Sequence, residues 1–152
     1  MEARMAHPAF TLDGAFKGLG ALSAAVERGG VPKALGELIN LRVSQINGCS
    51  VCVQMHAKAL REAGESDDRI FTVAAWRDAP YYTGAERAAL ALAEAVTRVA
   101  DRPDPVSDEL WDEVNRHYSE KEVSALLLSI SVINVWNRLN AATRQVAGIA
   151  EA

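Results

Sequence analysis

The side chains best able to do chemistry in this sequence stand close together, at Cys49, Cys52 and His56. If a helix begins near Cys49, Cys52 follows one turn later and His56 another turn beyond, so all three share a face. Two thiols one turn apart can close a disulfide with little backbone movement, and the free amides and dipole of a helix N-terminus favour a thiolate. A histidine beside them can accept or donate a proton near neutral pH. The pattern therefore predicts a face that carries redox chemistry or binds a ligand.

Glu37 is the candidate acid or base that would complete this set. It lies on the preceding predicted helix, and a helical hairpin through Asn47-Gly48 could bring that helix alongside Cys52 and His56. Its sequence neighbours are apolar, and a carboxylate in such surroundings is costly unless it is paired or functional. The alternative is that Glu37 is an exposed helix charge with no part in the chemistry.

The elements that must position these residues are all helices. Apolar residues recur at three- and four-residue spacings, and no run of alternating β-branched or aromatic residues indicates a strand. Capping residues and glycine or proline breaks divide the chain into about six to seven helices. The predicted helices span residues 12–28, 32–47, 49–64, 67–76, 84–100, 108–117 and 120–146. The fold class is therefore all-α, with the cysteines at the N-terminus of the third helix.

Length and composition predict one domain over residues 1–152 and exclude several classes of function. The 152 residues are 49% hydrophobic and 24% charged, which is typical of a folded domain below the size at which chains split. A net charge of -4 leaves no basic surface for nucleic acid or an anionic membrane. The longest apolar stretch is too short to span a bilayer and no secretory signal is visible, so we expect a cytoplasmic protein.

The last predicted helix favours association of several chains. Between Val123 and Trp136 it is apolar over most of its circumference, whereas a helix at the surface of a monomer keeps a polar face. Burial between subunits would cover this surface, so the sequence predicts a homo-oligomer. The alternative is a central helix that the other helices wrap within one chain.

The segment from Glu37 to His56 resembles the signature of the alkylhydroperoxidase AhpD-like proteins in the carboxymuconolactone decarboxylase superfamily. Those proteins have a Glu twelve residues before the first cysteine of a CxxC pair and a His four residues after the second. Glu37, Cys49, Cys52 and His56 stand at these spacings, within a motif that covers about residues 37–64. The resemblance implies a single-domain AhpD-like helical fold, a homo-oligomer (dimer, trimer or hexamer), and reduction of hydrogen peroxide or organic hydroperoxides without a metal or organic cofactor.

The resemblance also implies a role for each of these residues. Cys52 would attack the peroxide and become a sulfenic acid, and Cys49 would resolve it to a disulfide. His56 would shuttle the proton, and Glu37 would orient or relay it. An unidentified thiol or dithiol reductant would regenerate the pair, giving an antioxidant enzyme with peroxidase activity of the peroxiredoxin type. The helix dipole by itself favours Cys49 as the more acidic thiol.

One position departs from the family pattern. The best-known AhpD-like proteins carry a second His directly before the second cysteine, and Val51 stands there in this chain. That His belongs to their proton relay, so Glu37 and His56 would have to move the proton alone here. The lactone decarboxylase branch of the superfamily does not depend on a CxxC pair, so the cysteines argue against that activity.

Other interpretations of the cysteines stay open. A tetrahedral zinc site could combine Cys49, Cys52 and His56 with His117, His7 or a carboxylate. Two inert buried thiols are a second possibility, because free cysteine often behaves as a small hydrophobic residue. The alternative function is a non-catalytic oligomeric module of the same fold that senses redox state or binds a metal.

Overall fold

Helix caps and apolar periodicity, with no strand pattern between them, determine the architecture. The computed structural model describes residues 1–148 and contains eight α-helices and no strand within that range. In chain order these are α1 (Pro8–Thr11), α2 (Ala15–Glu27), α3 (Lys33–Asn47), α4 (Ser50–Glu62), α5 (Asp67–Thr72), α6 (Gly84–Thr97), α7 (Asp108–His117) and α8 (Glu120–Thr143). The all-α prediction is confirmed, and the count of eight corrects the predicted six to seven. The predicted domain also includes residues 149–152, which lie outside the described residues.

The additional helix lies near the N-terminus, where the sequence predicts a single helix over residues 12–28. Pro8 opens α1, and Nδ1 of His7 accepts a hydrogen bond from the backbone N–H of Ala9 at 3.1 Å. The chain then turns at Gly14, whose φ of 76° lies in the left-handed region that favours glycine, and α2 begins. Histidine is not one of the usual N-cap residues, so the sequence gives little signal for α1.

Serine and threonine caps begin the later helices where the sequence predicts them. The side chains of Ser66, Thr83, Ser107 and Ser119 each accept a hydrogen bond from the backbone three residues on, and Thr83 and Ser119 close capping boxes. Helix ends are predicted less well, because α5, α6 and α8 stop three or four residues early. A 3-10 turn follows each of α5 and α6, and Arg144, with a φ of 54°, ends α8.

The central element is α8, which packs against α2, α3 and α6, while α3 packs in turn against α4 and α6. Leu126 and Ile130 of α8 share a buried apolar cluster with Ile39 and Val43 of α3, and this cluster also contains both cysteines. Much of the apolar circumference of α8 is therefore covered within one chain, as the alternative to subunit burial expects. The homo-oligomer stays a prediction, and the burial of α8 within the chain provides less support for it than the sequence pattern alone.

Although α8 is 24 residues long, it is not uniformly apolar. Asn134, Asn137 and Asn140 are buried at successive turns of the helix, and each amide must be hydrogen-bonded to offset the loss of water. No helix within residues 1–148 is long and apolar enough to cross a membrane.

A buried carboxylate ties α6 to α3 and to the segment after α5. Glu94 is 5% exposed and accepts hydrogen bonds from Arg42 at 2.6 Å, Arg77 at 2.7 Å and the indole of Trp76 at 3.0 Å. Arg98 lies within 3.5 Å of the same carboxylate. Burial raises the pKa of Glu94, but hydrogen bonds from Arg77, Arg42 and Trp76 outweigh burial and hold the pKa below its ordinary value.

Candidate active site

The turn between α3 and α4 places the cysteines. Gly48 has a φ of 69°, which suits glycine, and the backbone N–H of Cys49 donates to the carbonyl of Ser44 at 3.0 Å. Cys49 is the N-cap of α4, and its sulfur accepts a hydrogen bond from the backbone N–H of Cys52 at 3.3 Å. The CxxC pair therefore stands at a helix N-terminus, as predicted, with the helix beginning one residue later, at Ser50.

The two cysteines form a disulfide and differ in whether they line a neighbouring cavity. Their Cα atoms are 5.4 Å apart, and Cys49 and Cys52 are only 3% and 1% exposed. Cys52 lines a cavity of about 790 Å³, whereas Cys49 is not among its lining residues. A small molecule in this cavity would therefore meet Cys52 first.

Glu37 and His56 form a hydrogen-bonded pair between α3 and α4. Oε2 of Glu37 lies 2.7 Å from Nδ1 of His56, and the two side chains are 19% and 9% exposed. Glu37 is therefore not the exposed helix charge of the alternative interpretation. Glu37, Cys52 and His56 all line the cavity, and Cys49 is joined to Cys52 by the disulfide.

The second imidazole nitrogen of His56 faces an unusual environment. Nε2 is buried and has no hydrogen-bond partner within residues 1–148. When Nδ1–H donates to the Glu37 carboxylate, Nε2 is left as a proton acceptor; when the ring is protonated, Nε2–H is a donor. A buried imidazole nitrogen without a partner, on a residue that lines a cavity, is suited to exchange a proton with a bound molecule.

Asn140 is a site residue that the sequence analysis does not predict. Its Nδ2 donates a hydrogen bond to the sulfur of Cys52 at 3.2 Å, across 88 residues of sequence. Asn140 is 9% exposed and lines the same cavity. The signal that could have drawn attention to it is the three-residue spacing of Asn134, Asn137 and Asn140 on an otherwise apolar helix.

A ladder of amides, formed by Asn47, Asn134 and Asn137, holds α8 against the turn that carries the cysteines. Nδ2 of Asn47 donates to Oδ1 of Asn134 at 3.0 Å and to Oδ1 of Asn137 at 2.9 Å. Asn137 in turn donates to the hydroxyl of Ser44 at 3.0 Å. Because Asn47 directly precedes Gly48-Cys49 in the sequence, this ladder fixes the CxxC segment relative to α8.

The cavity is polar at the cysteine and mostly apolar elsewhere. Its walls come from the first four helices and α8, with Glu27 and Lys33 as charged residues besides the Glu37–His56 pair. The apolar walls include Phe10, Phe16, Val26, Val51, Met55, Leu126, Val132, Ile133 and Trp136. A pocket of this volume and character accommodates an organic molecule much larger than hydrogen peroxide.

Four rings from the N-terminal segment and α8 form one wall of this cavity. The His7 ring stacks on Trp136 with centroids 5.3 Å apart, Phe10 lies 5.4 Å from His7, and Phe16 lies 5.1 Å from Phe10. Phe10 and Phe16 remain 54% and 55% exposed. These rings, all of which line the cavity, provide surface against which an apolar or aromatic group can pack.

The two histidines considered as extra zinc ligands, His7 and His117, lie apart from each other and have other partners. His117 pairs with Glu113 at 3.0 Å on α7, while His7 caps α1 and stacks on Trp136. In the part of the chain that the structure describes, no three His, Cys, Asp or Glu side chains are grouped so as to hold a metal ion.

The sequence is similar to a described family and to several known proteins. The model of the carboxymuconolactone decarboxylase family matches residues 14–95. The uncharacterized protein YdfG of Bacillus subtilis is 42% identical over 106 residues, which are 70% of this chain and 71% of YdfG. Alkyl hydroperoxide reductase AhpD of Gluconacetobacter diazotrophicus is 47% identical over 47 residues, which are 31% of this chain and only 26% of that protein.

Solved structures with a similar fold include the following two. A crystal structure from Agrobacterium tumefaciens, of a protein of unknown function proposed to be an antioxidant defence protein AhpD, has a TM-score of 0.89 and 34% identity. The match covers 98% of this chain and all of that one. The debrominase Bmp8 has a TM-score of 0.75 and 25% identity, over 86% of this chain and 69% of Bmp8.

Proposed function

The chain belongs to the carboxymuconolactone decarboxylase family and is AhpD-like, and on this basis we propose that it is a thiol-dependent peroxidase. One observation carries the proposal: Cys52 of a helix-terminal CxxC pair opens into a cavity that the hydrogen-bonded pair of Glu37 and His56 also lines. A nucleophilic sulfur, a proton carrier and room for a substrate therefore meet at one place.

The reaction begins on the reduced pair. His56 takes the proton of the Cys52 thiol, and the thiolate attacks one peroxide oxygen. The O–O bond breaks, and the leaving alkoxide or hydroxide receives the proton from His56. Cys52 is now a sulfenic acid, and the peroxide has been reduced to an alcohol or to water.

Cys49 completes the cycle. Its sulfur attacks the sulfenic sulfur of Cys52, a disulfide forms, and the hydroxyl group leaves as water with the proton of the Cys49 thiol. A thiol or dithiol reductant then returns two electrons and two protons. Cysteine thiols carry all the electrons, so the proposal requires no metal or organic cofactor. Such a cycle suits a reducing compartment such as the cytoplasm.

The geometry accounts for the division of labour between the two sulfurs. The amide of Cys52 donates to the sulfur of Cys49, which together with the helix N-terminus stabilises a Cys49 thiolate. That stabilisation makes Cys49 a good leaving group when the reductant attacks Cys52. Cys52 is favoured as the residue that attacks the peroxide because it lines the cavity, and not because its thiol is the more acidic of the two.

Organic hydroperoxides are the substrates that the cavity favours. A volume of about 790 Å³ greatly exceeds what hydrogen peroxide fills, and the wall formed by His7, Phe10, Phe16 and Trp136 is suited to an apolar or aromatic substituent. Burial of that substituent would hold the hydroperoxyl group beside Cys52 and lower KM.

A second candidate reaction uses the same residues. The aromatic wall of the cavity and the similarity to the debrominase Bmp8 favour removal of bromine from an aromatic ring. Two thiols and one aryl bromide would yield the Cys49–Cys52 disulfide, the debrominated ring and hydrogen bromide, so electrons and protons balance. Bromide release from a bromopyrrole by the reduced protein tests this reaction.

Association of several chains remains part of the proposal. Two apolar side chains on α8 are partly exposed, Leu128 at 42% and Val135 at 41%. Two leucines near the N-terminus are more exposed: Leu12, which precedes α2, and Leu22, which lies on α2. Burial of such surface between subunits would be favourable. Light scattering should then give a mass that is a multiple of the 16.4 kDa chain.

Two cysteine variants test the peroxidase. Cys52→Ser should abolish consumption of cumene hydroperoxide, because the attacking sulfur is gone. Cys49→Ser should reduce one equivalent and stop, with a sulfenic acid that a dimedone-type reagent traps at Cys52. Equal multiple turnover by both variants would contradict the scheme. Absence of any peroxide loss in the wild type, with a redox-dependent change in oligomer size, would favour the non-catalytic redox module instead.

A further inference from the structure

We propose that Asn140 stabilises the thiolate of Cys52 and thereby sets the pH range over which this cysteine reacts. Asn140 lies on α8, far in sequence from the residues of the CxxC motif. The assignment rests on the proposed function for the reaction with peroxide, while the ionisation of Cys52 can be measured without it.

The first support is the direction of the hydrogen bond. Nδ2 of Asn140 lies 3.2 Å from the sulfur of Cys52, and both side chains are more than nine-tenths buried. A disulfide sulfur has no proton to give, so only the N–H₂ side of the amide can bond to it. The structure therefore presents a donor, and not the amide oxygen, to Cys52.

Reduction of the disulfide strengthens this bond. A thiolate is a far better hydrogen-bond acceptor than a neutral disulfide sulfur, because the acceptor then carries a full charge. A donor that bonds more strongly to the charged form favours that form. The buried amide of Asn140 should therefore increase the fraction of Cys52 that is thiolate at neutral pH.

The position of Asn140 is fixed by the helix that carries it. The ladder of Asn47, Asn134 and Asn137 holds α8 against the α3–α4 turn. The backbone carbonyl of Asn140 accepts a hydrogen bond from the backbone N–H of Gln145 at 3.0 Å. A donor held in place loses little entropy when the thiolate forms, so most of the hydrogen-bond energy is retained.

The cavity beside Cys52 also contains other polar and titratable groups. Val51 supplies no polar side-chain atom between the cysteines, and α8 contributes no titratable side chain to the cavity lining. The titratable groups that line the cavity with Cys52 are His7, Glu27, Lys33, Glu37 and His56. Among these, Glu37 and His56 are hydrogen-bonded to each other at 2.7 Å. The other amide that lines the cavity, Asn40 of α3, accepts a hydrogen bond from the hydroxyl of Ser129 at 3.3 Å.

The experiment follows the thiolate absorbance of Cys52 near 240 nm against pH, in a Cys49→Ser background where only one thiol remains. Asn140→Leu removes the donor at similar size, and Asn140→Asp keeps the shape but places a negative charge beside the sulfur. Asn115→Leu, an exposed asparagine on α7, is the matched control. Circular dichroism establishes that each variant is folded, and Asn140→Asp serves if the leucine variant does not fold.

We expect the titration midpoint to rise by about one pH unit in Asn140→Leu and by more in Asn140→Asp, with no change in Asn115→Leu. At neutral pH, alkylation by iodoacetamide and reaction with cumene hydroperoxide should both slow about tenfold in Asn140→Leu. Both rates should recover at high pH, where the thiolate is complete, because a purely structural defect would persist there. A midpoint equal to that of the control, or a rate loss that high pH does not restore, would overturn the proposal. Failure of the peroxide reaction alone, with the midpoint shifted, would count against the peroxidase and not against the role of Asn140.

Discussion

Oε2 of Glu37 lies 2.7 Å from Nδ1 of His56, although the two residues belong to different helices and are 19 positions apart. The hydrogen bond fixes the imidazole ring on α4 and leaves Nε2 as the nitrogen without a partner within residues 1–148. In the proposed reaction, this pair carries the proton of Cys52 to the oxygen that leaves.

Loss of the carboxylate should impair proton transfer without breaking the fold. We expect Glu37→Gln to lower kcat for cumene hydroperoxide by about 10- to 100-fold, because the amide cannot relay a proton. Stopped-flow consumption of peroxide by the reduced protein measures this effect. Glu62→Gln is the control, since Glu62 lies on α4 and is 67% exposed in a pair with Lys58. Equal rates in the two variants would remove Glu37 from the mechanism.

The aromatic wall should select the substrate. Phe16 lines the cavity and is 55% exposed. Phe16→Ala should lower kcat/KM for cumene hydroperoxide about tenfold and leave kcat/KM for hydrogen peroxide unchanged. Phe71→Ala is the matched control, because Phe71 is 68% exposed and does not line the cavity. A parallel loss for both peroxides, or none for either, would contradict the preference for organic hydroperoxides.

Glu94 should be a major determinant of stability. Glu94→Gln leaves Arg42, Arg77 and Arg98 close together without a carboxylate, and should lower the free energy of unfolding by about 2–3 kcal/mol. The expected loss is moderate because Arg77 and Arg98 are partly exposed. Urea denaturation measures it. Glu113→Gln, which removes an exposed pairing with Arg116, should change little; a comparable loss there would contradict the special role of Glu94.

Stability should also decline in acid in a predictable range. Burial raises the pKa of Glu86 and Glu94, but hydrogen bonds from Arg69 to Glu86 and from Arg77 and Arg42 to Glu94 outweigh it, so both pKa values lie below 4.5. The unfolded chain then binds protons more tightly than the folded one. The stabilisation is therefore complete well above pH 4.5 and is lost as the pH falls through the folded values. Melting temperatures should be level from pH 7 to about pH 5.5 and fall below about pH 4.5, less steeply in Glu94→Gln. Identical slopes for both proteins would contradict this assignment.

Local spacing made the proximity of the motif residues predictable. Cys52 and His56 lie four positions apart on α4, Cys49 is the N-cap of that helix, and Glu37 lies on the helix joined to it by a single glycine turn. In such a hairpin few arrangements are possible, so sequence distance translates closely into spatial distance. The capped starts at Thr83 and Ser119 were predictable for the same reason, because a cap depends only on its own next turn.

The features that depend on long-range packing were not predictable. Asn140 reaches Cys52 across 88 residues because the buried asparagines of α8 dock on Asn47, and no local pattern specifies that register. The cavity arises where five helices fail to fill space, and its aromatic wall depends on His7 as an unusual cap. The apolar pattern of α8 does not by itself distinguish burial within one chain from burial between subunits, because Leu126 and Ile130 are covered by the chain while Leu128 and Val135 are exposed.

The measurement that tests the central claim most directly counts free thiols before and after reaction. The reduced protein is mixed with one equivalent of cumene hydroperoxide, then denatured and alkylated, and its intact mass is compared with that of an untreated sample. The chain has only two cysteines, so the account predicts two alkyl groups before treatment, none after it, and one peroxide consumed per chain. Two alkyl groups in both samples, with the peroxide unchanged, would contradict a peroxide-driven Cys49–Cys52 cycle.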